Sequence, residues 1–361
     1  MDNNFKKSSY PITKPTLFLF NLRTDETSFK LAASLDWIKA FALECNEVFV
    51  FSTHIGKFTL PSNVHVTELG GGTFIGKVKW ILNTVKSVYV FSKTKENKIV
   101  LHYMSHYTVI FPGIFFKILG ARQGLWYAHG HKNRFLAIAE RITSVAFTSV
   151  EGAFPMKSKK IKVTGQGVNI KNFNMEHHFA QKTKKTGVVS LGRISPVKHL
   201  EAILIARIKP ELIEFCGESP DPNYRNLLQN LAIENEQKLR IVDPILYSEV
   251  PQYLSQWRYY FCGTEVAVDK AVIEAALSGC IILSLNKNVL ELTGMHTVYE
   301  FIGSEVPISI SAQFNLFESL NEITLISIES KLREECSQRN DVKKTTEKII
   351  LTLSESYKYN R

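Results

Sequence analysis

One stretch near the middle of the chain constrains the fold more than any other. Residues 188–191 form a short apolar run that is typical of a buried strand, and Gly192 ends it. Ser195 and Pro196 are the residue types of a helix N-cap and of a first helical position, and apolar residues continue at helical spacing to Ala206. Because a helix start after a glycine turn leaves backbone N–H groups unpaired, this stretch predicts an anion site.

Two basic residues flank the glycine turn. Arg193 follows Gly192 directly, and Lys198 comes five residues later. Guanidinium and ammonium groups bind phosphate oxygens, so this pair suits a ligand that carries a diphosphate. An ordinary strand-to-helix turn with two surface cations is the alternative that these residues alone leave open.

Three blocks of the sequence, in the same order, resemble a known family. Residues 192–199 (Gly-Arg-Ile-Ser-Pro-Val-Lys-His) are similar to the G-R-x-x-x-x-K-G/H motif of retaining glycosyltransferases of family four. Residues 165–169 (Gly-Gln-Gly-Val-Asn) resemble the family's interdomain element, and residues 269–279 resemble the start of its E-A-M-A-C-G helix. The resemblance implies an α/β protein with the GT-B fold, in which two doubly wound Rossmann-like domains face an interdomain cleft.

The length and the apolar pattern agree with two such domains. The chain has 361 residues, and apolar runs alternate with helical patterns in both halves, which predicts parallel sheets. We expect an N-terminal acceptor-side domain over residues 1–166 and a C-terminal nucleotide-sugar-binding domain over residues 167–339. The sequence pattern from residue 340 onward predicts one long helix. The resemblance implies that this helix packs back on the first domain.

The resemblance also implies which residues bind the donor. They lie at strand ends or near the start of the third block's helix: Gly192, Arg193, Lys198, Gly217, Asp269, Lys270 and Glu274. Glu274 matches the family's second glutamate, whose carboxylate accepts hydrogen bonds from the nucleotide ribose. The family's first glutamate is replaced by Val266, so Asp269 and Lys270 are the candidates for sugar contacts.

Candidates on the N-terminal side follow predicted strands. Asn21 and Asp25 come after the apolar run of residues 16–20, and parallel sheets bind ligands beyond their strand ends. Asp25 suits an acceptor hydroxyl or the cap of the next helix, and His102 ends a later strand and is assigned to the acceptor side. His129 ends another strand and resembles the family's histidine at the reaction centre, although a lone histidine is often structural.

Departure of the nucleoside diphosphate is the difficult step of sugar transfer, because negative charge develops on it. No D-x-D pair, which would hold a divalent cation, lies at a predicted strand end. Fixed cations can stabilise the same charge. We therefore expect Arg193 and Lys198, with His129, to be catalytic, and we expect no metal or cofactor besides the donor substrate.

These inferences together predict a retaining, metal-independent hexosyltransferase. It would move a hexose from a nucleotide-diphosphate sugar to a glycan or lipid-linked acceptor, in the synthesis of cell-surface polysaccharide. A GT-B protein without transferase activity, either a nucleotide-sugar epimerase or a carbohydrate-binding protein, is the alternative. A dinucleotide oxidoreductase is a weaker alternative, because no G-x-G-x-x-G follows the first strand.

The net charge of +10 is unevenly distributed. Residues 1–166 hold 22 Lys and Arg against 10 Asp and Glu, a balance of +12, whereas residues 167–361 hold 22 against 24, a balance of −2. A basic N-terminal half suits an anionic membrane surface or an anionic acceptor. No nucleic-acid motif accompanies it, so we expect no nucleic-acid partner.

One helix of the basic half has two possible roles. Residues 77–86 predict a helix with Val78, Ile81, Leu82 and Val85 on one side. Packing of that side on the sheet is the simpler interpretation, and a basic amphipathic helix that rests on a membrane is the alternative.

The remaining features concern the compartment. The five cysteines show no C-x-x-C spacing, which suits a reducing environment. Residues 1–7 lack the apolar core of a signal peptide, and the chain has no uninterrupted apolar run of about 18 residues. We therefore expect a cytoplasmic protein that lies peripherally at the inner face of the membrane.

Overall fold

A computed structural model describes residues 14–28, 31–95, 97–130, 132–173 and 186–355, so the predictions for residues 1–7 and for the chain beyond residue 355 lie outside it. The strands of the N-terminal part are β1 (Thr16–Thr24), β2 (Glu47–Ile55), β3 (Val64–Glu68), β4 (Lys98–Tyr103), β5 (Arg122–Trp126), β6 (Val145–Thr148) and β7 (Ile161–Val163). The helices between them are α1 (Ser34–Glu44), α2 (Phe74–Lys93), α3 (His106–Ile118) and α4 (Arg134–Ile142).

The C-terminal part repeats the alternation of strands and helices. Its strands are β8 (Thr186–Leu191), β9 (Ile213–Cys216), β10 (Leu239–Val242), β11 (Trp257–Phe261) and β12 (Ile281–Leu283). Its helices are α5 (Glu201–Ile205), α6 (Pro222–Glu234), α7 (Val250–Leu254), α8 (Lys270–Leu277), α9 (Lys287–Thr293), α10 (Met295–Phe301), α11 (Ile310–Glu318), α12 (Glu322–Asn340) and α13 (Val342–Ser354).

Within the described residues these strands form two parallel sheets, which confirms the predicted doubly wound architecture. The seven-stranded sheet has the order β3-β2-β1-β4-β5-β6-β7, and the five-stranded sheet has the order β10-β9-β8-β11-β12. In the first sheet Phe18 of β1 is paired with Phe49 of β2 and Val100 of β4.

The central strand β1 is buried on both faces, as its apolar run predicts. On one face Phe18 and Phe20 pack in a cluster that includes Phe91 of α2 and Phe116 of α3. On the other face Leu17 and Leu19 belong to the cluster that holds residues of α1. Burial of one such side chain contributes about 1.5–3 kcal/mol to folding, so this strand anchors the first sheet.

The final helix predicted from residue 340 onward is present as α13, which begins two residues later, at Val342. Helix α12 ends at Asn340, Asp341 is extended, and α13 begins at Val342. The break occurs because Val168 pairs with this segment through two backbone hydrogen bonds, to the Asn340 carbonyl at 2.7 Å and from the Val342 amide at 2.9 Å. Helix α13 packs against α1 and β5 of the N-terminal part. The domain boundaries themselves stay a prediction.

The segment that joins the two sheets is held by a close contact. The Trp37 Nε1–H of α1 donates to the carbonyl oxygen of Gly167 at 2.8 Å. Gly167 has a φ of 66°, and a Cβ atom there would lie 2.3 Å from the Trp37 ring. The second glycine of the interdomain block is therefore required by this contact with α1.

Candidate functional site

Each sheet has a point where the strand order reverses, and ligands of doubly wound sheets bind beyond the strand ends at such points. In the first sheet this point lies between β1 and β4, and in the second it lies between β8 and β11. Gly192 follows β8, and Asn21 lies near the end of β1. Gly192, a donor candidate, and Asn21, an acceptor candidate, therefore lie at the two reversal points.

Two glycine turns meet at the second reversal point. Gly192 follows β8 with a φ of 125°, and Gly217 follows β9 with a φ of 153°. The Gly192 N–H donates to the Cys216 carbonyl at 2.9 Å, and a Cβ atom on Gly217 would lie 2.0 Å from the Gly192 carbonyl oxygen. Gly217 is needed for the two loops to pack together, whereas its contact with a donor stays a prediction.

The continuous helix predicted from Pro196 is wrong. Pro196–Lys198 forms a single 3-10 turn with Ser195 as its N-cap, and α5 is a separate helix of five residues. His199 between them is left-handed with a φ of 47°, and the next amide, that of Leu200, donates to the Tyr224 hydroxyl at 2.9 Å. These contacts turn the chain, so little helix dipole is available at this turn.

Lys198 forms an ion pair with Asp269, which ties the turn after β8 to the loop after β11. The two side chains retain 18% and 28% of their exposure. A Cβ atom on Gly192 would lie 3.2 Å from Lys198 Nζ, so the ammonium lies beside the glycine turn. Arg193 is exposed. The two predicted cations therefore differ, because a carboxylate already balances the charge of Lys198.

Asp269 is the N-cap residue of α8, but its side chain makes no hydrogen bond to that helix. The carboxylate instead binds Lys198. The first amide groups of α8 therefore keep partial positive charge that Asp269 does not offset through a capping bond. A donor sugar that bound Asp269 would share its carboxylate with Lys198.

A buried polar cluster lies at the start of α8. Lys270 and Glu274 are one helical turn apart, and Lys270 Nζ and Glu274 Oε1 are buried without a hydrogen-bond partner. Lys270 Nζ lies 5.7 Å from the centre of the Tyr247 ring, and the Tyr247 hydroxyl donates to Asp36 Oδ2 at 3.3 Å. Lys270 therefore belongs to this buried cluster, and its contact with a sugar stays a prediction.

Burial determines the protonation behaviour of the cluster. It raises the pKa of Glu274, with Lys270 opposing, and it lowers the pKa of Lys270, with Glu274 and Asp36 opposing. Burial, followed by the charges of Glu274 and Asp36, raises the pKa of Tyr247 well above its usual value. At neutral pH Tyr247 is therefore a hydrogen-bond donor next to two carboxyl groups.

Two members of the cluster were missed by the sequence reasoning. Asp36 lies in the first turn of α1, and its carboxylate also accepts a hydrogen bond from Asn169 Nδ2 at 3.1 Å. In the sequence Asp36 is an ordinary first-turn acid, and Tyr247 lies between β10 and α7 without a motif. Only the packing of α1 against the C-terminal part brings them together.

Asn21 lines a small hollow at the first reversal point, together with Tyr103 and Met104. Its Nδ2 donates to the Arg23 carbonyl at 3.1 Å and to Thr24 Oγ1 at 3.2 Å. Its Oδ1 is buried and has no hydrogen-bond partner. Asn21 therefore keeps one acceptor atom that a ligand donor could satisfy.

Asp25 is buried, and its side chain stabilises a local turn. Its Oδ1 accepts hydrogen bonds from the Thr27 amide at 3.0 Å and from the Thr27 hydroxyl at 2.7 Å, and Arg23 approaches Oδ2 at 3.4 Å. The hydrogen bond from the Thr27 hydroxyl is the main reason why the pKa of Asp25 is lowered. Since α1 begins only at Ser34, Asp25 does not cap it, and these local contacts replace the predicted acceptor contact.

His102 lies in the core and not on the acceptor side, which corrects its prediction. The side chain is fully buried and stacks on Phe20 with ring centroids 5.1 Å apart. Its Nδ1 is 2.9 Å from Thr108 Oγ1, and its Nε2 is 3.1 Å from Gln123 Oε1. Burial lowers the pKa of His102 to about 4, so the ring is neutral at physiological pH. Both ring nitrogens are engaged, so no ligand can reach them.

His129 is exposed and follows β5 at the carboxyl edge of the first sheet. Its ring lies 6.3 Å from the Tyr127 ring, centroid to centroid. Among the described residues no group of three or more His, Cys, Asp or Glu side chains is arranged to hold a metal ion. The catalytic role of His129 and the independence from metal stay predictions.

Comparison with known proteins identifies the fold. No family model and no curated protein matches the sequence. HepE from Anabaena, in complex with UDP-glucose, is 15% identical with a TM-score of 0.67, over 94% of this chain and 99% of HepE. A glycosyltransferase from Rickettsia africae is 12% identical with a TM-score of 0.68, over 97% of this chain and 100% of its own.

A third structure, WaaG, is a glycosyltransferase involved in lipopolysaccharide biosynthesis. It is 11% identical with a TM-score of 0.60, over 94% of this chain and 99% of WaaG. All three matches span nearly the whole of both chains, and at these identities they establish the fold alone. The chain has the GT-B fold, built from two Rossmann-like domains with sheets of seven and five described strands.

Proposed function

We propose that the protein is a retaining hexosyltransferase that moves a hexose from a nucleotide-diphosphate sugar to a glycan or lipid-linked acceptor without a metal ion. The observation that carries this proposal is the Lys198–Asp269 pair at the second reversal point. This ion pair joins the glycine turn after β8 to the start of α8. It therefore lies beyond the strand ends at a reversal point, where doubly wound sheets bind ligands such as a donor. The three sequence blocks resemble a family with this activity.

The polar cluster on α8 supports a nucleoside site. Glu274 Oε1 and Lys270 Nζ are buried without hydrogen-bond partners. A buried polar atom that makes no hydrogen bond lowers the stability of the fold by about 1–3 kcal/mol. A bound ribose can offer hydroxyl groups to the Glu274 carboxylate. Glu274 is therefore our candidate for binding the ribose.

Stabilisation of the leaving diphosphate is assigned to positive groups beside the glycine turn. Arg193 is exposed and available to phosphate, and the ammonium of Lys198 would exchange part of its contact with Asp269 for a phosphate oxygen. The first amides of α8 add partial positive charge. Fixed groups of this kind can take the place of a divalent cation in the transition state.

The acceptor side is assigned to the first reversal point. His129 would contact the transferred sugar or its phosphate from the end of β5, and Asn21 Oδ1 would accept a hydrogen bond from the acceptor. Neither His102 nor Asp25 is part of this proposal, because the core and a local turn occupy them.

The experiment is a donor panel followed by a transfer assay. UDP-glucose is tested first, because HepE is complexed with UDP-glucose, and GDP- and ADP-sugars are tested beside it. A donor at about 100 times its Kd should stabilise the protein by about 2.7 kcal/mol in thermal unfolding. Transfer in the presence of a chelator, with a product that keeps the anomeric configuration of the donor by NMR, is the expected result.

Three outcomes would contradict the proposal. A strict need for a divalent cation would reject the metal-free mechanism, and an inverted product would reject retention. Interconversion of free nucleotide sugars without any acceptor would favour the epimerase alternative. As a site control, Arg193→Ala should lower turnover by about 10²-fold, whereas Arg225→Ala, at a half-buried position of α6, should leave it unchanged.

A further inference from the structure

Helix α2 exposes apolar side chains and buries polar ones. Its buried residues are Thr84, Ser87 and Phe91. Its exposed apolar residues keep 43–81% of their surface accessible to solvent. They lie along one stripe of the helix: Phe74, Ile75, Val78, Ile81, Leu82, Val85 and Tyr89. An ordinary surface helix turns such a stripe toward its own core. The simpler interpretation of this helix, in which Val78, Ile81, Leu82 and Val85 pack on the sheet, is therefore wrong.

Two neighbouring helices, α3 and α4, expose apolar side chains of their own, and α3 packs against both α2 and α4. Trp80 of α2 packs against Phe111 of α3 with ring centroids 4.8 Å apart, and Tyr107 of α3 packs against Phe135 of α4 at 5.7 Å. Further exposed apolar residues of α3 and α4 are Ile114, Phe115, Ile118 and Ile138. We call the exposed apolar residues of these three helices the apolar face. An exposed apolar face of this kind on a folded chain marks a surface that binds a partner.

The charged residues around the apolar face indicate which kind of partner it binds. Helix α2 carries Lys77, Lys79, Lys86 and Lys93 and helix α3 carries Lys117, and neither helix contains an acidic residue. Lys79 is paired with Glu68 of β3, and all five lysines are exposed. Apolar side chains bordered by cations match a bilayer that has anionic headgroups above an apolar interior. A purely apolar protein partner would leave these cations without counterions.

The position of the face also fits a membrane. Helices α2, α3 and α4 follow β3, β4 and β5, so each begins at the carboxyl edge of the first sheet. Exposed Phe74 and Ile75, Tyr107 and Phe135 stand at or next to the starts of these helices. The apolar face therefore reaches the edge of the sheet where ligands of such folds bind.

We propose that the apolar face docks the protein on an anionic phospholipid bilayer, with Phe74 and Ile75 inserted into it and the lysines of α2 and α3 at the headgroups. None of the described helices has the length and apolar character needed to cross a bilayer. The docking goes beyond the proposed transferase activity and does not depend on it. Inserted side chains distinguish this docking from attachment by charge alone, because they resist salt.

The test is co-sedimentation of the full chain with vesicles, without nucleotide. Vesicles of phosphatidylcholine alone are compared with vesicles that contain phosphatidylglycerol, at about 0.1 M and about 1 M salt, where the Debye length is about 10 Å and about 3 Å. We expect binding to the anionic vesicles that weakens but persists at high salt. Lys77→Ala/Lys86→Ala should reduce the salt dependence, because two of the five lysines at the headgroups are lost.

A matched pair of isoleucines controls for loss of apolar surface. Ile75 and Ile323 are each 79% exposed and each the second residue of a helix, α2 and α12. Phe74→Ser/Ile75→Ser should lower the vesicle partition coefficient at least tenfold, or about 1.4 kcal/mol, whereas Ile323→Ser should leave it unchanged. Both variants should keep the thermal shift of the wild-type protein with its donor nucleotide, so a failed docking and a failed transferase proposal are told apart.

Three results would overturn the docking. The wild-type protein could fail to bind either vesicle, or Ile323→Ser could weaken binding as much as the α2 variant does. Concentration-dependent dimerisation in analytical ultracentrifugation that Phe74→Ser/Ile75→Ser abolishes, without vesicle binding, would assign the apolar face to a second copy of the chain instead.

Discussion

The ion pair between Lys198 and Asp269 gives a prediction in which two substitutions act in opposite directions. In the proposed function Lys198 binds the diphosphate, and Asp269 holds its ammonium beside Gly192 when the site is empty. We expect Lys198→Ala to weaken the binding of the nucleoside diphosphate. Asp269→Asn should tighten that binding, because it removes a negative charge that competes with the phosphates for the same ammonium.

The magnitudes follow from the exposure of the pair. With 18% and 28% of their surface exposed, the side chains lie between a surface pair, worth about 0–1 kcal/mol, and a buried pair, whose disruption costs about 3–5 kcal/mol. We therefore take about 1 kcal/mol for the release of Lys198, which is about fivefold in Kd. Loss of the cation itself removes a hydrogen bond to a charged group, about 1.5–3 kcal/mol, or at least about tenfold in Kd.

Isothermal titration calorimetry with the nucleoside diphosphate measures both values, and turnover is measured in parallel. Turnover should fall in both variants, by about 10²-fold in Lys198→Ala and by less in Asp269→Asn, because the carboxylate positions the ammonium and does not itself offset the developing charge. Weaker binding in both variants would refute the reasoning, since Asp269 would then support the site or contact the ligand and not compete with it. Asp221→Asn, at the N-cap of α6, is the control for loss of one carboxylate outside the site.

Three further predictions concern single residues. His129→Ala should lower transfer strongly and leave the Kd of the nucleoside diphosphate unchanged, and a parallel loss of affinity and of thermal stability would indicate a structural role. Glu274→Gln should weaken nucleoside binding by about tenfold, whereas it should leave inorganic diphosphate binding unchanged, as calorimetry would show. His102 has a folded pKa of about 4, below its ordinary value, so its stabilising contribution is complete above about pH 6.5 and falls by about 3 kcal/mol as the pH drops to about 4. Urea unfolding across this range should show the loss in the wild-type protein and a flatter profile in His102→Gln.

Much of the fold could be predicted from short-range patterns. The runs at residues 16–20 and 188–191 predicted strands that correspond to β1 and β8, because an apolar run bounded by polar residues reflects local burial. The parallel arrangement followed from the alternation of these strands with helices. Helix boundaries were less accurate, since the left-handed His199 and the extended Asp341 are set by partners distant in sequence.

The candidate site was predictable only in part. The Gly192 turn and α8 were found because motif residues lie close together in the sequence. The contacts that define the side chains were not predictable, because Lys198 meets Asp269 across 71 residues and Asp36 meets Tyr247 across 211 residues. A sequence pattern specifies which residue types are present, whereas packing decides which charges face each other.

Residue chemistry and local period determined that this chain forms alternating strands and helices around glycine turns. Tertiary structure alone decided how the same chemistry is used. It buried His102 between Thr108 and Gln123, although its place at a strand end suggested a ligand site. It also left the apolar stripe of α2 in solvent, although the helical period equally fits a packed helix. The reason is physical: a periodic pattern defines a face of an element, and only the assembly of all elements determines what that face meets.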